Sequence, residues 1–195
     1  MTDPAAEQTA GRREVRKADT RRALEDAALR RFARDGYDAT SVEAVAADAG
    51  VSARTFFRYF ATKDEVLDMG RAERQADLVA EIRALDEVAT TELEVVRLAI
   101  AALATSFAQE RARVELRSLA ASSSMALRGR IFDIFSSWES TIARALVERS
   151  GDREGAETLA AVGIGVFRAA LVHWVAAPES DLVDLVDRGF SRLHA

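Results

Sequence analysis

Between Pro4 and Pro178 the chain contains no proline. Nothing in that span breaks a helix by ring geometry or by a missing backbone N–H. The span is dominated by Ala, Leu, Arg and Glu, all strong helix formers. Apolar residues recur at helical spacing, and no alternating strand pattern survives beyond a few positions. The predicted class is therefore all-α. Hydrophobic residues make up 49% and charged residues 30%, which excludes disordered and collagen-like chains. At 195 residues there is room for one large domain or two small ones around a buried core. Without cysteine there is neither a disulfide scaffold nor a Cys-ligated zinc site. Unbroken apolar stretches are too short to cross a bilayer, and Met1–Gly11 is polar, so the expectation is a cytoplasmic protein with no membrane partner.

Capping signals divide the chain. Residues 1–15 read as a mobile polar arm, and a first helix runs from about Lys17 to Asp35, with Leu24, Ala27, Ala28 and Phe32 on one face. Gly36 stops it. Thr40 or Ser41 opens a second helix, with Thr40 and Glu43 spaced as a capping box, and Gly50 ends it after two turns. Ser52 caps a third, Ala53–Phe60. Thr62 and Glu65 make another capping box, predicting a long fourth helix to about Arg83. Further helices are expected near Thr91–Glu110, Ala112–Ala121, Met125–Arg149, Arg153–Ala177 and Asp181–His194. The predicted organisation is the arm, a small helical domain at 16–62 and a larger helical domain at 63–195.

Two short helices joined by a tight Gly-containing turn make a helix-turn-helix over Val42–Phe60. Ala46 is small where the helices cross, while Val51, Phe56 and Phe60 plug the seam between them. Ala53, Arg54, Thr55, Phe57 and Arg58 are left near the exposed start of the last helix, the end that enters a major groove in such motifs. An ordinary helical hairpin shares part of this pattern; the Arg-rich exposed face and the coincidence of caps favour DNA. Charge is divided accordingly. Residues 1–63 hold 12 basic against 10 acidic residues, a net of +2, and residues 64–195 hold 15 against 22, a net of −7. A local patch rather than the chain's total of −5 meets phosphate.

From Thr20 to Leu67 the chain resembles the TetR family of bacterial transcriptional regulators. The likeness rests on Ala27-Ala28, Phe32, Gly36-Tyr37, Thr40-Ser41-Val42, Val45, Ala46, Ala49-Gly50-Val51-Ser52, Thr55-Phe56-Phe57, Tyr59-Phe60 and Lys63. It implies a three-helix DNA-binding domain on a larger helical domain for ligand binding and dimerisation. It also implies a homodimer joined through the last two helices, double-stranded operator DNA as partner, a small-molecule effector, and repression as the mode of action. By the same resemblance Thr40, Ser41 and Lys63 would touch phosphate, and Ala53, Arg54 and Thr55 would meet base edges. Phe57 replaces a common Tyr and loses its hydroxyl, leaving contact with a thymine methyl. Tyr59 stands where His is common and keeps a donor for phosphate. Arg54 departs from the usual small residue; its guanidinium suits guanine O6 and N7, with a phosphate contact as the alternative. Arg12, Arg13, Arg16 and Lys17 form a basic cluster that is either a DNA-reaching arm or a solvated tail.

The larger domain carries bulky residues on several helices: Phe107, Leu116, Met125, Phe132, Phe135, Phe167, Trp138 and Trp174. Together they read as the lining of a cavity for an apolar or amphipathic effector, with His173 as a polar group, or as plain core. Gly163 and Gly165 inside a good helix require close helix approach or room for a ligand. Gly70 in the predicted fourth helix reads as a flexible point or a close contact. Trp138-Glu139 and Arg168–Trp174 resemble an actinobacterial branch of the family, some of whose members respond to acyl-CoA thioesters.

Other function classes fit less well. There are only two His, no HExxH pattern and no phosphate-cradling Gly loop, so neither an enzyme nor a cofactor is expected. A helical small-molecule-binding or protein-interaction module without operator binding is the remaining alternative, and salt-sensitive binding to duplex DNA separates the two.

Overall fold

A computed structural model describes residues 4–68, 70–85, 91–122 and 124–193. Helices α1 (Pro4–Asp35), α2 (Val42–Asp48), α3 (Ala53–Tyr59), α4 (Arg71–Ala84), α5 (Glu92–Ala108), α6 (Arg111–Ser122), α7 (Met125–Ser150), α8 (Arg153–Ala176) and α9 (Leu182–Ser191) follow in order, with a short 3-10 turn at Asp64–Leu67. No strand occurs among the described residues, and the class is all-α as predicted.

Three boundaries differ from expectation. Residues 4–15 are helical rather than an irregular arm. Pro4 occupies the first helical position, where its fixed φ is pre-organised and its missing N–H costs nothing, and Ala5, Ala6, Glu7 and Gln8 propagate the helix. The cap of α2 is Ser41, whose Oγ accepts from Ala44 N–H, so the Thr40–Glu43 box does not form. The long fourth helix is interrupted. Gly70 sits at φ 62°, ψ 40°, a left-handed conformation that stops helix propagation, and α4 starts only at Arg71. An added Cβ at Gly70 would meet nothing closer than 3.7 Å. The glycine is there for its backbone, not for close packing or flexibility.

The chain forms two compact units. The first comprises Met1–Asp68 with Leu116–Arg128, the second Met69–Glu115 with Gly129–Ala195. In the first, Leu24, Ala28 and Phe32 of α1 are buried with Val45 and Ala46 of α2, Phe56 of α3, and Phe60, Val66 and Leu67 after it. In the second, α5, α8 and α9 pack on one another and α4 packs on α5. Helix α8 is long and apolar enough to cross a membrane, contrary to the sequence expectation. Its Ala160, Ile164, Phe167 and Trp174 are buried in this core, where an apolar helix is equally at home.

Gly163 explains how closely α5 and α8 approach. A Cβ there would lie 2.5 Å from Val96 Cγ1 and 3.3 Å from Ile100 Cγ1. Overpacking of this kind costs about 1–3 kcal/mol, against a gain of about 1 kcal/mol in helix propensity. Gly163→Ala is therefore expected to be neutral to destabilising by up to about 2 kcal/mol, where an exposed helical Gly→Ala change would stabilise. Chemical denaturation measures this, and a stabilised variant would refute the close approach. At Gly165 an added Cβ would meet nothing within 4 Å.

Candidate nucleic-acid interface and effector region

The turn between α2 and α3 is a Schellman motif. Val51 N–H donates to Ala46 O at 2.9 Å and Gly50 N–H to Ala47 O at 3.0 Å, with Gly50 at φ 70°. Ser52 Oγ then accepts from Thr55 N–H at 3.2 Å, opening α3 one residue later. Phe56 is fully buried, with its ring edge-on to Phe57 at 5.6 Å and tilted against Phe60 at 5.4 Å. This anchors one face of α3 and turns the other outward. Arg54 and Arg58 are exposed, Phe57 is 54% exposed, and Ala53, Thr55 and Tyr59 are half-buried. The Arg58 guanidinium lies 5.2 Å over the Tyr59 ring. Arg54, Phe57 and Arg58 thus lie on the outward side of α3. Ser41 is exposed at the start of α2.

Thr40 is different. It is 3% exposed, and its hydroxyl donates to Gly36 O at 2.8 Å. Its single O–H proton closes the α1–α2 loop and leaves no donor for phosphate. Lys63 serves the same loop. Its Nζ donates to Tyr37 O at 2.6 Å and Thr40 O at 2.8 Å, and sits 4.0 Å over the Tyr37 ring. An ammonium has three donors, so one is left over. Burial, then the charges of Asp64 and Asp38, push the Tyr37 phenol above its ordinary range. The basic cluster lies on α1, where Arg13, Arg16 and Lys17 are exposed. The side chain of Arg12 is outside the described part.

Sequence reasoning missed the clamp that fixes α2 on α1. Arg31 Nε and Nη2 donate to the two Asp48 carboxylate oxygens at 2.6 and 2.8 Å. The guanidinium holds the Asp48 carboxyl below its ordinary range, mainly through the hydrogen bond. A depressed carboxylate contributes stability above its unfolded pKa, and that contribution is lost as pH falls through the folded value. No local spacing links positions 31 and 48, so only the fold reveals the pair.

The large residues predicted to line one cavity separate into distinct environments. Phe107, Trp138, Phe135 and Phe167 form a closed circuit of edge-to-face rings, with successive centroids 5.8, 5.5, 6.1 and 5.1 Å apart. All four are buried in the core of the second unit. Trp138 is fully buried, yet its Nε1 has no hydrogen-bond partner among the described residues. An orphan of this kind costs about 1–3 kcal/mol. The Arg74 guanidinium stacks 4.4 Å from the Phe107 centroid and donates to Ser106 Oγ and to Glu110 Oε1. Burial pushes it below its ordinary pKa, partly offset by Glu110. Sequence analysis did not pick out Arg74.

The other predicted lining residues lie elsewhere. Trp174 is buried under Arg111, whose guanidinium sits 4.3 Å over the ring. Phe132 is 58% exposed, with Arg168 at 5.7 Å, and Met125 is 77% exposed. Both face outward because they occupy the polar side of α7, off the stripe of Ile134, Phe135, Trp138 and Ile142. Leu116 is half-buried and, like Met125, belongs to the first unit. His173 is exposed, and lines a groove of about 480 Å³ between α8 and α9 with Gly165, Ala169, Leu185, Arg188 and Gly189. Among the described residues no group of three or more His, Asp or Glu is placed to hold a metal.

Comparison with known proteins covers both units. Residues 24–68 match the family model for bacterial regulatory proteins of the tetR family, and residues 90–195 match the MftR C-terminal domain. The mycofactocin biosynthesis transcriptional regulator MftR of Mycobacterium tuberculosis is 26% identical over 189 residues, covering 92% of this chain and 95% of that protein. Two solved structures share the fold at low identity. The fatty acid degradation regulator FadR from Bacillus halodurans gives a TM-score of 0.61 at 23% identity, covering 89% of this chain and 94% of that one. FadR from Bacillus subtilis in complex with stearoyl-CoA gives 0.62 at 22%, covering 88% and 96%.

Proposed function

Because the chain belongs to the TetR family of bacterial regulatory proteins, we propose that it is a cytoplasmic repressor. It binds a pseudo-palindromic operator as a homodimer and leaves it when a long-chain acyl effector enters the second unit. It acts by binding rather than by catalysis. The observation that carries the reading is the face of α3, where Arg54, Phe57 and Arg58 project outward from a helix pinned by buried Phe56 and Phe60. Arg54 is the base reader. Ser41, Tyr59 and the remaining donor of Lys63 meet phosphate, and Ala53, Thr55, Phe57 and Arg58 complete the interface. Thr40 shapes the loop that carries them.

The dimer forms through α8 and α9. The groove between them, with Gly165 and Ala169 on its wall, is apolar and small enough at its surface for a partner helix to seat closely. Two copies of α3 then meet successive major grooves about 34–36 Å apart. For the effector, the apolar ring circuit of Phe107, Phe135, Trp138 and Phe167 suits a long hydrocarbon chain. The FadR of Bacillus subtilis, which shares the fold, was solved with stearoyl-CoA. A tenfold loss of operator affinity requires about 1.4 kcal/mol of coupling, within the usual range.

Footprinting and affinity measurements on operator variants test the reading. Arg54→Ala is expected to cost about 1–3 kcal/mol and to relax preference at one position per half-site. Lys63→Ala is expected to weaken all sequences alike and flatten the salt dependence. Equal loss on every sequence for Arg54→Ala would reassign it to phosphate. A monomer protecting an asymmetric site would overturn the dimer.

A further inference from the structure

We propose that Trp138 is the polar contact of the effector site, donating its indole N–H to a neutral carbonyl oxygen carried on the effector's chain. The inference rests on the long-chain effector reading above and adds a chemical requirement to it: the ligand presents an uncharged acceptor inside the ring circuit.

Trp138 is fully buried, and its Nε1–H has no partner among the described residues. An indole nitrogen only donates, so no rotation of a proton relieves it. Buried donors in native proteins are almost always paired, and an exception calls for a cause. The neighbours of the indole do not supply one. Phe107 and Phe135 meet it edge-to-face at 5.8 and 5.5 Å and carry no oxygen. The polar side chains beside it on α7 are engaged elsewhere. Ser137 Oγ donates to Ile134 O, and Thr141 Oγ1 donates to Ser137 O while accepting from Gln75 Nε2 at 2.9 Å. A phenylalanine would fill much of this space without a stranded donor. The indole is therefore explained by something that enters the circuit.

The same surroundings fix the kind of acceptor. Two guanidiniums border the circuit from outside: that of Arg74 lies over Phe107 and is held by Ser106 and Glu110, and that of Arg168, an exposed residue, lies 5.9 Å from the Phe135 centroid on the side of exposed Phe132. A carboxylate placed against one neutral N–H among aromatic rings would be left largely desolvated, which is strongly unfavourable. A thioester, ester or amide carbonyl needs one good donor, and Trp138 provides one.

The test uses the 195-residue chain and a matched pair of probes. Dodecanoyl-CoA carries a thioester carbonyl. S-dodecyl-CoA keeps the sulfur and the alkyl chain without the oxygen. Calorimetric titration of wild type is expected to favour the thioester by about fivefold to tenfold, the effect of one buried hydrogen bond. Trp138→Phe is expected to bind the two probes equally. A ligand-free thermal melt checks that the variant is folded, since truncating a fully buried indole leaves a small cavity while it removes the orphan donor. Wild-type discrimination persisting in Trp138→Phe, or no discrimination in wild type, overturns the assignment to Trp138 alone. Binding of neither probe to wild type overturns the effector reading and this inference with it.

Discussion

Phe56→Ala is expected to destabilise the first unit by about 3–5 kcal/mol and to abolish operator binding at working concentrations. The ring is fully buried, packs against Phe57 and Phe60, and is the buried side chain by which α3 is held to α2. Its removal leaves a void that two short helices cannot close, since each is only seven residues long. Domains hold about 5–15 kcal/mol in total, so a loss of this size takes a large share. Phe57 is the internal control. It is the next residue and has the same chemistry, but it is 54% exposed. Phe57→Ala should stay within about 0.5 kcal/mol of wild type in stability, with any loss confined to DNA affinity. Urea denaturation followed by circular dichroism separates the two. Equal destabilisation by both substitutions would mean that α3 is not seated as described.

Phe167→Ala is expected to have a comparable effect on the second unit. Phe167 closes the ring circuit, 5.1 Å from Phe107 and 6.1 Å from Phe135, and is fully buried. Truncation removes its transfer free energy and two edge-to-face contacts and leaves a cavity, for about 3–5 kcal/mol. At roughly 2–4 °C per kcal/mol for a chain of this size, the thermal midpoint should fall by about 6–20 °C. Phe132→Ala, at an exposed ring, should change stability by no more than about 0.5 kcal/mol. If the two variants melt together, the closed circuit is wrong.

Phe167 and Phe132 also mark how far the sequence could be read. Both are aromatic, both lie on long helices, and composition gives each the same claim on a cavity. Their separation depends on which stripe of α7 or α8 faces α5, and that is a tertiary property. The α2–α3 turn was legible because its determinants are local. Gly50, Ser52 and the spacing of Phe56 and Phe60 act within a dozen residues. The ends of α5, α7 and α8 fall within two residues of the expected ones, and the Thr91 and Asp152 side-chain caps that fix two of their starts are seen only in the structure. Thr40 is ambiguous in the sequence because a hydroxyl at a helix start suits a phosphate contact and a loop-closing bond equally well, and the structure shows it making the second. The interruption at Gly70 was hidden by a sequence that otherwise reads as continuous helix. Arg31 with Asp48 and Arg74 with Glu110 were out of reach, since ion pairs 17 and 36 residues apart leave no periodic trace.

The left-handed glycine at position 50 has a consequence for how this protein can drift. Every glycine codon begins GG, and one nucleotide change converts it to Ala, Val, Ser, Arg, Cys, Trp, Asp or Glu. Of these only Asp is reasonably tolerant of the backbone at φ 70°. Asn, which accepts that conformation best after glycine, lies two changes away. The joint between α2 and α3 is thus poorly connected to viable alternatives, whereas the neighbouring exposed positions 54, 57 and 58 can vary without disturbing the backbone. On the proposed reading, in which Arg54, Phe57 and Arg58 face the operator, its preference can therefore diverge among descendants of this chain while the turn that presents them stays fixed.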